Sequence, residues 1–196
     1  AVSKTRTASA IRQAHANGLT EFGENYLNEA LPKIVLLQDL DLVWHFIGPI
    51  QSNKTRAIAE HFSWVHSIDR AKVARRLNNQ RPDQMAPLQV CIQVNISLEQ
   101  SKSGIALEAL PALVREILDL PRLRLRGLMA IPTPTRDEKQ QRQEFALLHD
   151  AMHQLFESAP TMDTLSMGMS GDMEAAIAEG SNLVRIGTDI FGPRKT

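Results

Sequence analysis

Three places in this chain carry residue types that could act on one small molecule. Lys4 ends the opening run AVSKT (1–5), where small and apolar residues of strand character meet an ammonium group. Arg185 sits within NLVRIGT (182–188), a run otherwise apolar or small. SMGMSGDM (166–173) is a small-residue loop entering a helical pattern, and RIGT (185–188) is a second such loop. Period-two alternation puts Thr164, Ser166, Gly168 and Ser170 on one strand face, with Leu165, Met167 and Met169 on the other. It likewise groups Leu183, Arg185 and Gly187.

A strand face of small and hydroxylic residues leaves a hollow, and consecutive backbone N–H groups at glycine-rich strand-to-helix turns make an anion site. Ser166, Ser170 and Thr188 add hydroxyl donors, and Gly187 opens the backbone beside them. Alone, SMGMSGDM reads equally as a tight turn with a helix cap, and no Gly-Lys-Ser/Thr follows to make it a P-loop. Arg185 is either a buried brace or a ligand group with a permanent charge and a planar donor fork. Lys4 is either a snorkelling surface lysine or, in a partly dry site near another cation, an amine whose neutral form attacks an aldehyde. Pyridoxal 5'-phosphate carries an aldehyde, a phosphate and a ring nitrogen, one for each of these three features.

These residues need elements to position them. Eight runs have strand character: 1–5, 21–25, 42–48, 63–68, 88–97, 123–131, 164–170 and 182–188. Seven helical patterns lie between them, with Ser9 and Asp172 as expected N-caps and Gly18 and Gly180 as stops. Pro49, Pro132 and Pro134 follow strands, where a missing N–H costs no ladder bond, whereas Pro32 and Pro111 fall in helical patterns as a kink or a first turn. Strand-helix alternation predicts an α/β fold, and the leading form is a (β/α)8 TIM barrel in one domain over residues 1–196. The chain is short for a class of about 250 residues. An open doubly wound sheet is the alternative. Only GPRKT follows the eighth strand, so the eighth helix is expected upstream of Ala1, in an N-terminal segment missing from this chain.

Composition narrows the partners. Twenty-two basic and 22 acidic residues are interspersed at zero formal net charge, which argues against nucleic acid or an acidic membrane as partner. No run approaches the roughly 20 apolar residues that cross a bilayer. Cys91 is the single cysteine, excluding an intrachain disulfide framework and fitting a reducing cytoplasm.

The blocks AVSKT, FGENY (22–26), WHFIGPIQSNK (44–54), VNIS with SKSG (94–97, 101–104), LRGLMAIP (125–132), LSMGMSGDMEAAIAEGS (165–181) and VRIGTDIFG (184–192) recur together in one family. Through them the chain resembles the pyridoxal phosphate homeostasis proteins, single-domain relatives of the alanine racemase barrel, nearly end to end. The resemblance implies a protein of intracellular cofactor homeostasis with little or no turnover. It implies that Lys4 holds pyridoxal 5'-phosphate as a Schiff base and that Arg185 faces the ring nitrogen. Ser166, Ser170 and the backbone at Gly187 and Thr188 would then hold the phosphate, while Asn25 and Met129 line the ring. It also implies a helical segment before AVSKT, a monomer, and apo pyridoxal-dependent enzymes as partners.

A racemase is the alternative activity. Two-base racemisation needs an acid/base group on each face of the substrate, and Tyr26, the one tyrosine, directly follows strand two. Lys102 in SKSG is a second amine candidate or a loop lysine. His45 is read as a packed residue or part of a pocket rim, and His149 with His153 as a solvated helix face rather than a metal pair.

Overall fold

The structure is a computed structural model and describes residues 1–97 and 103–193. Its strands are β1 (Glu21–Glu24), β2 (Val43–Phe46), β3 (Trp64–Ile68), β4 (Leu88–Val94), β5 (Leu123–Ala130) and β6 (Thr164–Ser166). All pair in parallel, in chain order β1-β2-β3-β4-β5-β6. Right-handed crossovers between successive neighbours put every connecting helix on one face. A doubly wound sheet reverses its strand order at a switch point, so this order rules out the open doubly wound alternative.

The first and last expected strands are present only as ladder contacts. Val2 bridges Gly23, and Leu183 bridges Ser166. Ser3 N–H donates to Gly23 O at 2.9 Å, Arg185 N–H to Gly168 O at 2.9 Å, and Val2 N–H to Ile186 O at 2.7 Å. Each terminal segment thus pairs with one edge of the sheet and with the other segment. The backbone turns after the first segment, where Thr5 has φ 63°, and after β6, where Gly168 has φ 96°. β6 accordingly stops at Ser166 rather than running to Ser170.

The helices are α1 (Ala8–Ala16), α2 (Leu27–Leu36), α3 (Thr55–His61), α4 (Ala71–Gln80), α5 (Leu110–Leu118), α6 (Glu138–Gln154), α7 (Met173–Ala178) and α8 (Thr188–Phe191), with a 3-10 turn at Leu107–Ala109. α5 buries Leu110, Leu113, Val114 and Ile117, the spacing of one helix face, against the sheet. Fully burying each such side chain is worth about 1.5–3 kcal/mol. Outward residues of the strands, among them Phe22, Phe46, Val65, Val90, Ile92 and Leu128, complete that core. Pro111 occupies the first turn of α5, where its missing N–H is harmless, while Pro32 lies inside α2.

Two expectations about helix ends need correction. The N-cap of α1 is Thr7, whose Oγ1 accepts from Ala10 N–H at 3.2 Å, and Ser9 falls inside the helix. The eighth run ends in a short helix, α8, because Gly187 leaves the extended region one residue before the expected strand end.

Candidate functional site

Arg185 is buried on the inner face of the sheet, away from the helices. Its Nη1 donates to Ser166 O at 2.6 Å and to Ser166 Oγ at 2.9 Å, and its Nη2 donates to Ala130 O at 2.9 Å. Nε–H and the second Nη2 hydrogen make no hydrogen bond among the described residues. Burial lowers the guanidinium pKa to about 10, partly offset by Asp172 and Cys91, so the group stays charged near neutrality. The result is a rigid cation with donors to spare, which suits an acceptor nitrogen or an anion.

Ser166 is placed differently from the sequence expectation. It is fully buried, and its hydroxyl lies between Arg185 and His66, whose Nδ1 is 2.8 Å away. It therefore belongs to the Arg185 cluster, while Ser170 is exposed in the following loop and lines a separate hollow with Arg136, Gln141 and Asp172. Positive φ at Gly168 allows that separation, and α7 packs so close that a Cβ there would meet Ala176 Cβ at 2.7 Å. Asp172 begins α7 as expected, but its Oδ1 reaches back to Met169 N–H at 2.6 Å instead of capping the helix.

Lys4 is partly buried at the end of the first segment. The preceding Ser3 is fixed from outside: its Oγ donates to Glu24 Oε1 at 2.6 Å, and Lys33 Nζ on α2 donates to Ser3 O at 3.0 Å and Glu24 Oε1 at 2.8 Å. Thr5 N–H donates to Glu29 Oε2 at 2.9 Å. Lys4 thus sits between two anchored neighbours. Burial pushes the Glu24 carboxyl up, against the lowering by Lys33 and Ser3. Gly187 faces the same segment, and a Cβ on it would lie 3.3 Å from Val2 O. Thr188 follows as the exposed first residue of α8.

A cleft of about 190 Å³ opens at the carboxyl ends of the strands, lined by Asn25, Ile47, Pro49, Gln93, Ser103 and Ile131. Asn25 Oδ1 is buried without a hydrogen-bond partner among the described residues. Such an orphan is costly unless a ligand satisfies it. Met129 is fully buried on β5, paired with Gln93 on β4 and Ser166 on β6. Lys102 lies outside the described residues.

Two residues of this cluster were not singled out as a pair by sequence reasoning. His45 and His66 are buried, with His45 Nδ1 2.9 Å from His66 Nε2. Glu21 Oε2 lies 3.3 Å from His45 Nε2, off the hydrogen-bonding line, so the nitrogen is electrostatically paired yet lacks a true hydrogen bond. His45 holds the Glu21 carboxyl below its usual pKa, and burial drives the His66 imidazole well below its own. The readable signal is one histidine within each of two successive, largely apolar strands, VWHF and WVHSI. Tyr26 is exposed at the start of α2, and His149 and His153 are exposed on α6.

The family described as alanine racemase, N-terminal domain, matches residues 1–195. The chain is 61% identical over 194 residues to the pyridoxal phosphate homeostasis protein of Pseudomonas aeruginosa, covering 99% of this chain and 83% of that one. It is 55% identical over 197 residues to the protein of the same name from Escherichia coli, covering 99% and 84%. Among solved structures, PipY of Synechococcus elongatus with PLP bound superposes with a TM-score of 0.90 at 39% identity, covering 98% of this chain and 91% of that one. Alanine racemase of Corynebacterium glutamicum shares the fold alone, with a TM-score of 0.74 at 14% identity over 99% of this chain and 56% of that one. The chain belongs to the alanine racemase N-terminal domain family, among its pyridoxal phosphate homeostasis proteins.

Proposed function

We propose that this chain binds pyridoxal 5'-phosphate in intracellular cofactor homeostasis, retaining it covalently through the Lys4 amine with little or no turnover. The observation that carries the reading is Arg185, a buried cation whose remaining donors have no partner among the described residues. The partnerless Asn25 Oδ1 in the neighbouring cleft supports it. The cofactor, when bound, supplies an aldehyde for a primary amine and a pyridine ring that acts as an electron sink.

The chain's residues take distinct parts. Arg185 faces the ring nitrogen and, remaining charged, donates to it, which leaves that nitrogen unprotonated and the sink weak. Asn25 and Met129 line the ring. Ser170 and the backbone at Gly187 and Thr188 hold the phosphate, and Ser166 acts through Arg185. The anchors on Ser3 and Thr5 hold the Lys4 amine in place. The contacts joining segments 1–3 and 183–186 support a closed (β/α)8 barrel in one domain. We read the protein as a cytoplasmic monomer that passes cofactor to apo-enzymes; no described helix is long and apolar enough to cross a membrane.

The test is a visible absorption spectrum with and without added pyridoxal 5'-phosphate, then borohydride reduction and peptide mapping. The expected result is a reducible chromophore on the peptide containing Lys4. No chromophore, or one on another lysine, overturns the assignment. Retention of α-deuterium by amino acids incubated with the loaded protein separates a carrier from a racemase.

A further inference from the structure

The proposed cofactor contacts use neither buried histidine, although both stand between Arg185 and the surface. The contacts run in series: Arg185 Nη1 to Ser166 Oγ at 2.9 Å, Ser166 Oγ to His66 Nδ1 at 2.8 Å, and His66 Nε2 to His45 Nδ1 at 2.9 Å. The series ends at Glu21 Oε2, 3.3 Å from His45 Nε2. Glu21 is the first residue of β1, and 60% of its side chain is exposed. Trp64 stacks on His45 with centroids 5.4 Å apart and fixes its ring plane.

A neutral imidazole has one N–H and one bare nitrogen, so such a series permits few proton arrangements. Arg185 can only donate, and an ionised Glu21 can only accept. With both rings neutral, His45 must turn its N–H to the carboxylate. Its bare Nδ1 then accepts from His66 Nε2–H, and the bare His66 Nδ1 accepts from the Ser166 hydroxyl. Every donor points from Arg185 toward Glu21. The opposite order would set a bare His45 nitrogen against a carboxylate.

We propose that Glu21, His45 and His66 are positioning residues: a proton-ordered relay that runs from Arg185 toward a surface carboxylate and fixes the Ser166 hydroxyl proton toward His66, leaving the oxygen lone pairs to the guanidinium. Its consequence for the cofactor rests on the function proposed above. Among the described residues no carboxylate forms a salt bridge with Arg185, and Asp172 acts on it only from a distance, so hydrogen bonds rather than an ion pair set its orientation. With Nη1 held by Ser166, the guanidinium presents its uncommitted donors in one orientation. A cavity of about 60 Å³ lined by Glu21, His45, His66 and Arg185 runs beside the relay and has room for a water. The charged and titratable groups around the two rings are Glu21 and Arg185, with the Ala1 amino group acting on Glu21, Asp172 and the buried Cys91 acting on Arg185, and the Arg126–Asp163 pair behind Trp64.

Histidine-selective 15N NMR of the protein without added cofactor reads the proton order directly. The expected result is His66 protonated on Nε2 and bare on Nδ1; a proton on Nδ1 overturns the relay. Glu21→Lys, at an exposed position, presents a donor to His45 and should reverse the series, moving the His66 proton to Nδ1 across two intervening contacts. An unchanged His66 tautomer in Glu21→Lys also overturns it. With the wild type as reference, the same variant should bind added pyridoxal 5'-phosphate roughly three- to tenfold more weakly, as expected for one perturbed hydrogen bond. Equal affinity with a superimposable pH profile overturns the positioning role. A wild type that takes up no cofactor overturns the proposed function itself, and the role with it, whatever proton order the NMR records.

Discussion

Lys33 Nζ on α2 stands 2.8 Å from Glu24 Oε1 at the end of β1, both side chains buried, and it also holds Ser3 O, the residue before Lys4. A buried ion pair is costly to assemble but costlier to break, because the survivor is left charged in a dry site. Lys33→Met is expected to lower unfolding stability by about 3–5 kcal/mol in urea denaturation. Adding Glu24→Leu should recover most of that loss, since no unpaired charge remains.

Stability should fall with acid through His66. Burial, then His45 and Arg185, depress its folded pKa well below 6.5, so below that pH the unfolded chain binds a proton that the folded chain does not. The contribution is present above pH 6.5 and is lost as pH falls toward the folded value, at about 1.4 kcal/mol per pH unit. Urea midpoints of wild type and His66→Gln across pH 4.5–7.5 check this, and the variant should have the flatter profile.

Arg185→Leu should weaken binding of added pyridoxal 5'-phosphate by about 10- to 100-fold, the range of a lost charged hydrogen bond. Arg185→Lys should not restore it, because a single ammonium cannot span Ser166 O, Ser166 Oγ and Ala130 O while facing a ligand. Titration followed by absorbance measures both.

Gly168→Ala should cost on the order of 1–2 kcal/mol, since φ is 96° and the new methyl would press on Ala176. Thermal melts check the stability, and proteolysis of the 168–173 loop reports any displacement of α7.

Cys91 should resist thiol reagents in the native protein. It is fully buried, with its thiol pushed up to about 12, so the reactive thiolate is scarce. A chromogenic disulfide reagent should react stoichiometrically only after denaturant is added.

Much of this site was written in contiguous residues. Alternation of strand and helix, Pro111 in a first turn and the inward parity of Arg185 all follow from periods of two or 3.6 and from backbone stereochemistry. These are local properties, and the sequence by itself determined them, whereas the strand expected to run to Ser170 breaks at Gly168. Tertiary structure alone decided which side chains meet. Ser166 looked like a phosphate ligand beside Ser170, yet its hydroxyl is held by Arg185 and by His66, 100 residues away. Lys33, an ordinary-looking helix lysine, reaches Ser3 across 30 residues. Such meetings depend on register between strands and on how each helix lies over them. Alternation within one segment says which face a residue takes, but not what stands across from it.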